Sequence, residues 1–179
     1  MKGLPLIVLG VLLGGCATMQ AGSPQATADL KNAKGEAVGT VGLWEDANGV
    51  RIAAHVRGIL AGRHGFHIHA VGKCDPPDFM TAAGHYNPGG KKHGLRSPDG
   101  PHAGDLPNLE VGADGTGGLE YVTKLVTLGP GPTSLFDGDG SALVIHANLD
   151  DDVTDPTGNS GGRIACGVIT RAAAAPRSY

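Results

Sequence analysis

The stretch GFHIHAVGKC, residues 65–74, sets His67 and His69 one residue apart among apolar neighbours and closes on Cys74. Side chains of an extended strand alternate faces, so Phe66 and Ile68 point one way and the two imidazoles the other. The apolar pair belongs to the core. The rings then sit side by side on the outer face, at a spacing that lets them share a metal ion. Alone, such a pair is equally two solvated histidines on an amphipathic strand.

The rest of the chain argues for the metal. GHYNPGGKKHG supplies His85 and His93, GPHAGDL adds His102 and Asp105, and ALVIHAN places His146 on a strand with Leu143 and Ile145 on its opposite face. Zinc takes three imidazoles and a carboxylate in a closed tetrahedral site. Copper takes imidazole nitrogens in a flatter arrangement with room for a ligand. Six histidines and one aspartate fill two four-donor sites only if one ring bridges, which a fully deprotonated imidazole can do.

These residues need a scaffold. The chain has 179 residues, enough for one domain with a sizeable core. Its 31 glycines suit many short strands joined by turns. Asn48-Gly49 between two apolar-rich runs predicts a hairpin. After it Val50, Ile52, Ala54 and Val56 alternate with a polar face that includes His55, read as a surface residue. NLEVGADGTGGLEYVTKLVTL predicts a second hairpin turning near 114–118, and DGSALVIHAN and RIACGVIT two more strands. Two polar, Gly/Pro-rich segments, roughly 73–107 and 147–162, lack strand character, and loops of that length are usually functional. The expected fold is all-β, a sandwich or barrel. The formal charge of −3, with no basic stripe, argues against nucleic-acid binding.

At the N-terminus Lys2 precedes an apolar run from Leu4 to Leu13, too short to span a bilayer comfortably and shaped like a secretory signal peptide. Leu13-Gly14-Gly15-Cys16 resembles a bacterial lipobox, which would make Cys16 the lipidated first residue of the mature chain. The expected organisation is a signal peptide at 1–15, a lipidated cysteine and flexible tether at 16–25, and a domain at 26–179. The expected location is the periplasm or cell envelope, with membrane contact only through the anchor. Disulfides persist in such a compartment, and Cys74 and Cys166 are the two cysteines left to pair. The C-terminal ITRAAAAPRSY reads as an untethered tail.

The motifs GFHIHAVGKC, AGHYNPGGKKHG, PHAGDLPN, VIHANLDDD and GNSGGRIACGVI resemble those of the copper/zinc superoxide dismutases over about residues 30–170. The resemblance implies a Greek-key β-barrel or sandwich of about eight antiparallel strands with two long functional loops. It implies copper on His67, His69, His85 and His146, and zinc on His85, His93, His102 and Asp105, with His85 bridging. Asp150 matches a carboxylate linking His67 and His93, Arg163 an arginine that binds the substrate anion, and Thr157 the channel wall. Cys74 and Cys166 match the intrachain disulfide, and His64 a structural histidine bonded to backbone. The activity implied is conversion of superoxide to dioxygen and hydrogen peroxide. A homodimer is compatible with this reading, which fixes no interface. One departure stands out: the loop 147–162 carries several aspartates and no lysine, which leaves Lys91, Lys92 or Lys124 to steer an anionic substrate.

Overall fold

The computed structural model describes residues 22–173, so the expected signal peptide, Cys16 and the end of the C-terminal stretch lie outside the described residues. Among the described residues ten strands follow one another: β1 (Ala26–Asn32), β2 (Ala37–Asp46), β3 (Gly49–Val56), β4 (Gly62–His64), β5 (Phe66–His69), β6 (Leu109–Val111), β7 (Gly117–Thr123), β8 (Ala142–His146), β9 (Arg163–Val168) and β10 (Thr170–Arg171). A 3-10 turn, Met80–Ala82, interrupts the first long loop. The strand pairs are antiparallel, in the order β4-β6-β7-β3-β2-β1-β9-β8-β5, with β10 added beside β1. β4 and β5 stand at opposite ends of that order, yet only Gly65 separates them in the chain. The continuous segment 62–69 therefore nearly closes the sheet into a barrel of Greek-key type.

The predicted hairpin is present, with its register shifted by one residue from the sequence signal. Asp46 pairs with Gly49, so Ala47 and Asn48 form the loop and Gly49 opens β3. Gly49 takes φ +124, and a Cβ there would strike the carbonyl oxygen of Thr123. The second hairpin turns between β6 and β7 as expected.

Two strands exceed the predicted eight, and the very short β4 and β10 explain the difference, because two or three residues carry no readable alternation. The tail also needs correcting at its start. Ile169 is buried, Thr170 and Arg171 pair with Thr27 and Ala26, and the Arg171 guanidinium lies 4.1 Å from the centre of the Phe136 ring. The edge of β1 offers backbone partners there, which a local reading of the tail cannot see.

Period-two alternation decides which side chains enter the barrel. Phe66 and Ile68 of β5 and Leu143 and Ile145 of β8 join Leu30, Leu43 and Ile52 in the main core. The opposite face of β8 and β9 carries Ala142, Val144 and Cys166, which pack with Phe79 and Ala82 from the first long loop. His67, His69 and His146 lie on that same outward side and are nevertheless buried, because the two long loops cover them. Cys74 and Cys166 form a disulfide with Cα atoms 5.6 Å apart, pinning the first loop to β9.

Candidate metal centre

β5 presents His67 and His69, and β8 presents His146 beside them through the register that pairs His67 with Val144 and His69 with Ala142. His85 arrives from the first loop through an isolated bridge to His69. The potential ligand atoms of His67, His69, His85 and His146 lie within 4.8 Å of one another, and so do those of His85, His93, His102 and Asp105. His85 is common to both groups, and all seven residues are buried.

In most of these rings one nitrogen is committed to a fixed partner, which leaves the other aimed inward. His69 Nδ1 is 2.9 Å from the Ala83 carbonyl and His146 Nδ1 is 3.1 Å from that of Gly161. Each donates there, so each Nε2 carries its lone pair toward the other; the two Nε2 atoms are 3.4 Å apart. His67 Nε2 meets Asp150 Oδ2 at 2.5 Å, and its buried Nδ1 has no hydrogen-bond partner. His85 Nδ1 faces Asp105 Oδ1 at 3.0 Å, and its buried Nε2 likewise has none. Two orphaned nitrogens inside one cluster are a large cost unless something binds them. A metal ion removes that cost, and a set of four imidazoles is one that copper accepts.

The second group closes around Asp105. Its Oδ2 accepts the backbone N–H groups of Gly94 at 2.8 Å and His102 at 3.0 Å. Its Oδ1 faces Nδ1 of His85, His93 and His102 at 3.0, 3.1 and 3.4 Å. Three imidazole nitrogens and one carboxylate oxygen converging on a buried point fit zinc. Asp150 ties the groups together, reaching His67 Nε2 with one oxygen and His93 Nε2 with the other at 3.1 Å. Asn108 holds Asp150 in place: its Nδ2 donates to the Asp150 carbonyl and its Oδ1 accepts the Asp150 N–H. Asn108 sits inside the PHAGDLPN motif, but nothing in its local pattern assigned it this task.

A cavity of about 450 Å³ opens onto the first group and is lined by His69, His85, His146, Thr157, Met80 and Arg163. Arg163 begins β9, and its guanidinium donates to the carbonyls of Phe79 at 2.6 Å and Ala83 at 2.5 Å. The arginine is thereby fixed at the cavity by the turn that Phe79 anchors in the core. His64 stands outside both groups: Nδ1 is 2.9 Å from the His146 carbonyl and Nε2 is 2.9 Å from that of Leu60. His55 is exposed on β3. The aspartates of the second loop are mostly engaged. Asp151 accepts from Val153, Thr154 and Asn159, and Asp155 pairs with Lys92 at 3.0 Å, which offsets one of the lysines expected to steer an anion.

Burial holds three rings neutral, with His67 pushed down to about 3, His146 pushed down to about 4, and His69 well below its ordinary value. His93 goes the other way. Burial opposes its charge, but Asp105 and Asp150 outweigh it and hold the ring up to about 9. The unfolded chain titrates its histidines near pH 6.5. The three depressed histidines therefore contribute stability that is present above about pH 6.5 and lost as pH falls toward 4. The His93 contribution is complete below about pH 6.5 and disappears only as pH rises through about 9. Metal-free protein is accordingly expected to show a lower guanidinium unfolding midpoint at pH 5 than at pH 7.5. An unchanged midpoint would contradict the burial of these rings.

Gly158 offers a second check. It takes φ +62, and an added Cβ would overlap Asp150 Oδ1 and lie 2.7 Å from His93 Nε2. Gly158→Ala is expected to cost roughly 1–3 kcal/mol of stability through backbone strain. It should also weaken metal binding in both groups, measured by competition with chelators, because Asp150 must move.

Two buried donor groups that share a single imidazole on a Greek-key barrel, one of them open to a cavity, are the layout of a metal-binding enzyme. The family model described as copper/zinc superoxide dismutase (SODC) matches residues 37–169. The chain is 46% identical to Cu-Zn superoxide dismutase 2 of Aquifex aeolicus, over 89% of this chain and 96% of that one. It is 41% identical to the Cu-Zn superoxide dismutase of Deinococcus radiodurans, over 93% of this chain and 94% of that one. Among solved structures, a SOD-like protein from Bacillus subtilis superposes with a TM-score of 0.76 at 43% identity, covering 79% of this chain and 96% of that one. The chain belongs to the copper/zinc superoxide dismutase family, and its chemistry is that of an oxidoreductase.

Proposed function

We propose that this protein converts superoxide to dioxygen and hydrogen peroxide at a copper–zinc pair bridged by His85, and that it does so in the cell envelope. The observation that carries the reading is the pair of orphaned nitrogens, His67 Nδ1 and His85 Nε2, in a four-histidine group that opens onto the Arg163 cavity.

His67, His69, His85 and His146 would hold copper, which supplies one-electron transfer in both directions, oxidising one superoxide and reducing a second with two protons. His85, His93, His102 and Asp105 would hold zinc, which has no redox chemistry and acts by position and charge. The chain's own groups do the rest. Arg163 keeps a permanent positive charge at the cavity and draws the small anion to the copper side. Its two carbonyl acceptors fix where that charge lies. The chain is net negative, so attraction comes from this local field. His85 is fixed through Nδ1 by Asp105, and Nε2 can take up a proton and return it to the departing product. Thr157 lines the cavity, while Asp150 fixes the orientation of His67 and His93 and raises their basicity as ligands.

Superoxide dismutation by the purified domain, paired with metal analysis of the same sample, tests this reading. Fast turnover with about one copper and one zinc per chain is the expected result. Full metal loading without turnover would instead identify a copper carrier. The envelope location rests on the N-terminal segment: Cys16→Ser is expected to release the protein from the membrane fraction without loss of activity. Continued membrane association of that variant would remove the lipid anchor.

A further inference from the structure

In the group proposed to hold zinc, one ring stands apart. His93 gives its far nitrogen to Asp150, the far nitrogen of His85 faces the other group, and the second oxygen of Asp105 is taken by backbone. His102 turns Nδ1 inward, 3.4 Å from both Asp105 Oδ1 and His85 Nδ1. Its proton must then sit on Nε2, which makes no hydrogen bond among the described residues. The carboxylate facing that nitrogen is Asp155, with Oδ1 at 3.8 Å.

Asp155 comes from the second long loop and meets the group at two points and a neighbouring lysine at a third. Oδ1 accepts the backbone N–H of His93 at 2.8 Å and faces His102 Nε2, while Oδ2 pairs with Lys92 Nζ at 3.0 Å. The division of labour is clear: one oxygen serves two members of the ligand group and the other serves a surface lysine. The His93 N–H, ahead of Lys92, holds the Asp155 carboxyl below the usual carboxylate range. At 3.8 Å the His102 contact exceeds a direct hydrogen bond but lies within the reach of charge attraction or a bridging water.

We propose that Asp155 is a second positioning carboxylate of the zinc group, fixing the His93 backbone and the His102 ring as Asp150 fixes the rings of His67 and His93. The proposal rests on reading His85, His93, His102 and Asp105 as the zinc group. Metal-bound histidines commonly donate their outer N–H to such a partner, and its loss costs about 10–100-fold in metal affinity. Asp155 thus couples the second loop to zinc retention, a role for one of that loop's aspartates that is independent of the anionic substrate.

Zinc affinity measured by competition with a chromogenic chelator, together with the visible absorption bands of cobalt substituted for zinc, tests it. Asp155→Ala and Asp155→Ser are expected to weaken zinc by at least about 10-fold and shift the cobalt bands. Asp155→Asn retains an oxygen at the Oδ1 position and is expected to restore affinity and bands to near the parent's. Lys92→Met should leave both unchanged. Equal loss in Asp155→Asn, Lys92→Met and Asp155→Ala would overturn the proposal and place the effect in the Lys92 ion pair. Parent-like affinity in Asp155→Ala and Asp155→Ser would also overturn it. A parent chain that takes up no zinc would remove the zinc group itself, and the positioning role with it.

Discussion

His85→Ala is expected to abolish dismutation and to lower the affinity for both metals at once. The ring belongs to both four-donor groups, with Nδ1 facing Asp105 and Nε2 unpartnered on the copper side. Losing an outer partner of a ligand already costs about 10–100-fold in metal affinity, so loss of the shared ligand should cost more than about 100-fold in each group. The neighbours provide the contrast. His69→Ala should impair copper and spare zinc, and His93→Ala the reverse, apart from what travels through Asp150. Metal content after dialysis against a chelator, with rates on the same samples, separates these cases. Retention of full zinc by His85→Ala would show that the ring serves one metal only.

Loss of the disulfide is expected to have the largest effect on stability. Cys74 and Cys166 are 92 positions apart, and chain-entropy arguments give about 4–5 kcal/mol for closing a loop of that size, a model-dependent upper figure. The structure adds a functional consequence. Cys74 and Cys166 pack with Phe79 and Ala82, and the carbonyls of Phe79 and Ala83 hold the Arg163 guanidinium. Cys74→Ser together with Cys166→Ser should therefore reduce dismutation as well as the unfolding midpoint, because the turn that aims Arg163 loses its tie to β9. Chemical denaturation of the metal-free variant measures the first effect, and rates of the fully metallated variant the second. Wild-type rates in a destabilised variant would mean that Phe79 alone anchors the turn.

Much of the site is legible along the chain because strands alternate. The quartet Phe66–His69 states in four letters which side chains enter the core and which join the histidine cluster, and Leu143–His146 repeats the statement on β8. The long loops are readable by their lack of such alternation, and the motif resemblance supplies the partition of ligands between two metals. Local pattern is weaker at the ends of the chain and in the shortest strands. β10 exists only because β1 has a free edge beside it, and β4 only because β6 lies alongside.

The sequence by itself singled out the seven residues of the two donor groups, the alternating strands that carry three of them, and the loop that brings the rest, since residue type and period-two spacing are local properties. Tertiary structure alone decided which nitrogen of each ring faces inward. That choice depends on the carbonyls of Ala83 and Gly161 and the carboxylates of Asp105 and Asp150, most of them far away in the chain. It also decided that Asn108 braces Asp150, that Asp155 reaches across to His93 and His102, and that the Phe79–Ala83 turn grips Arg163. Such contacts join residues up to 84 positions apart. They depend on the closed barrel, because packing of the whole sheet, and not any local preference, sets the distance between the two loops.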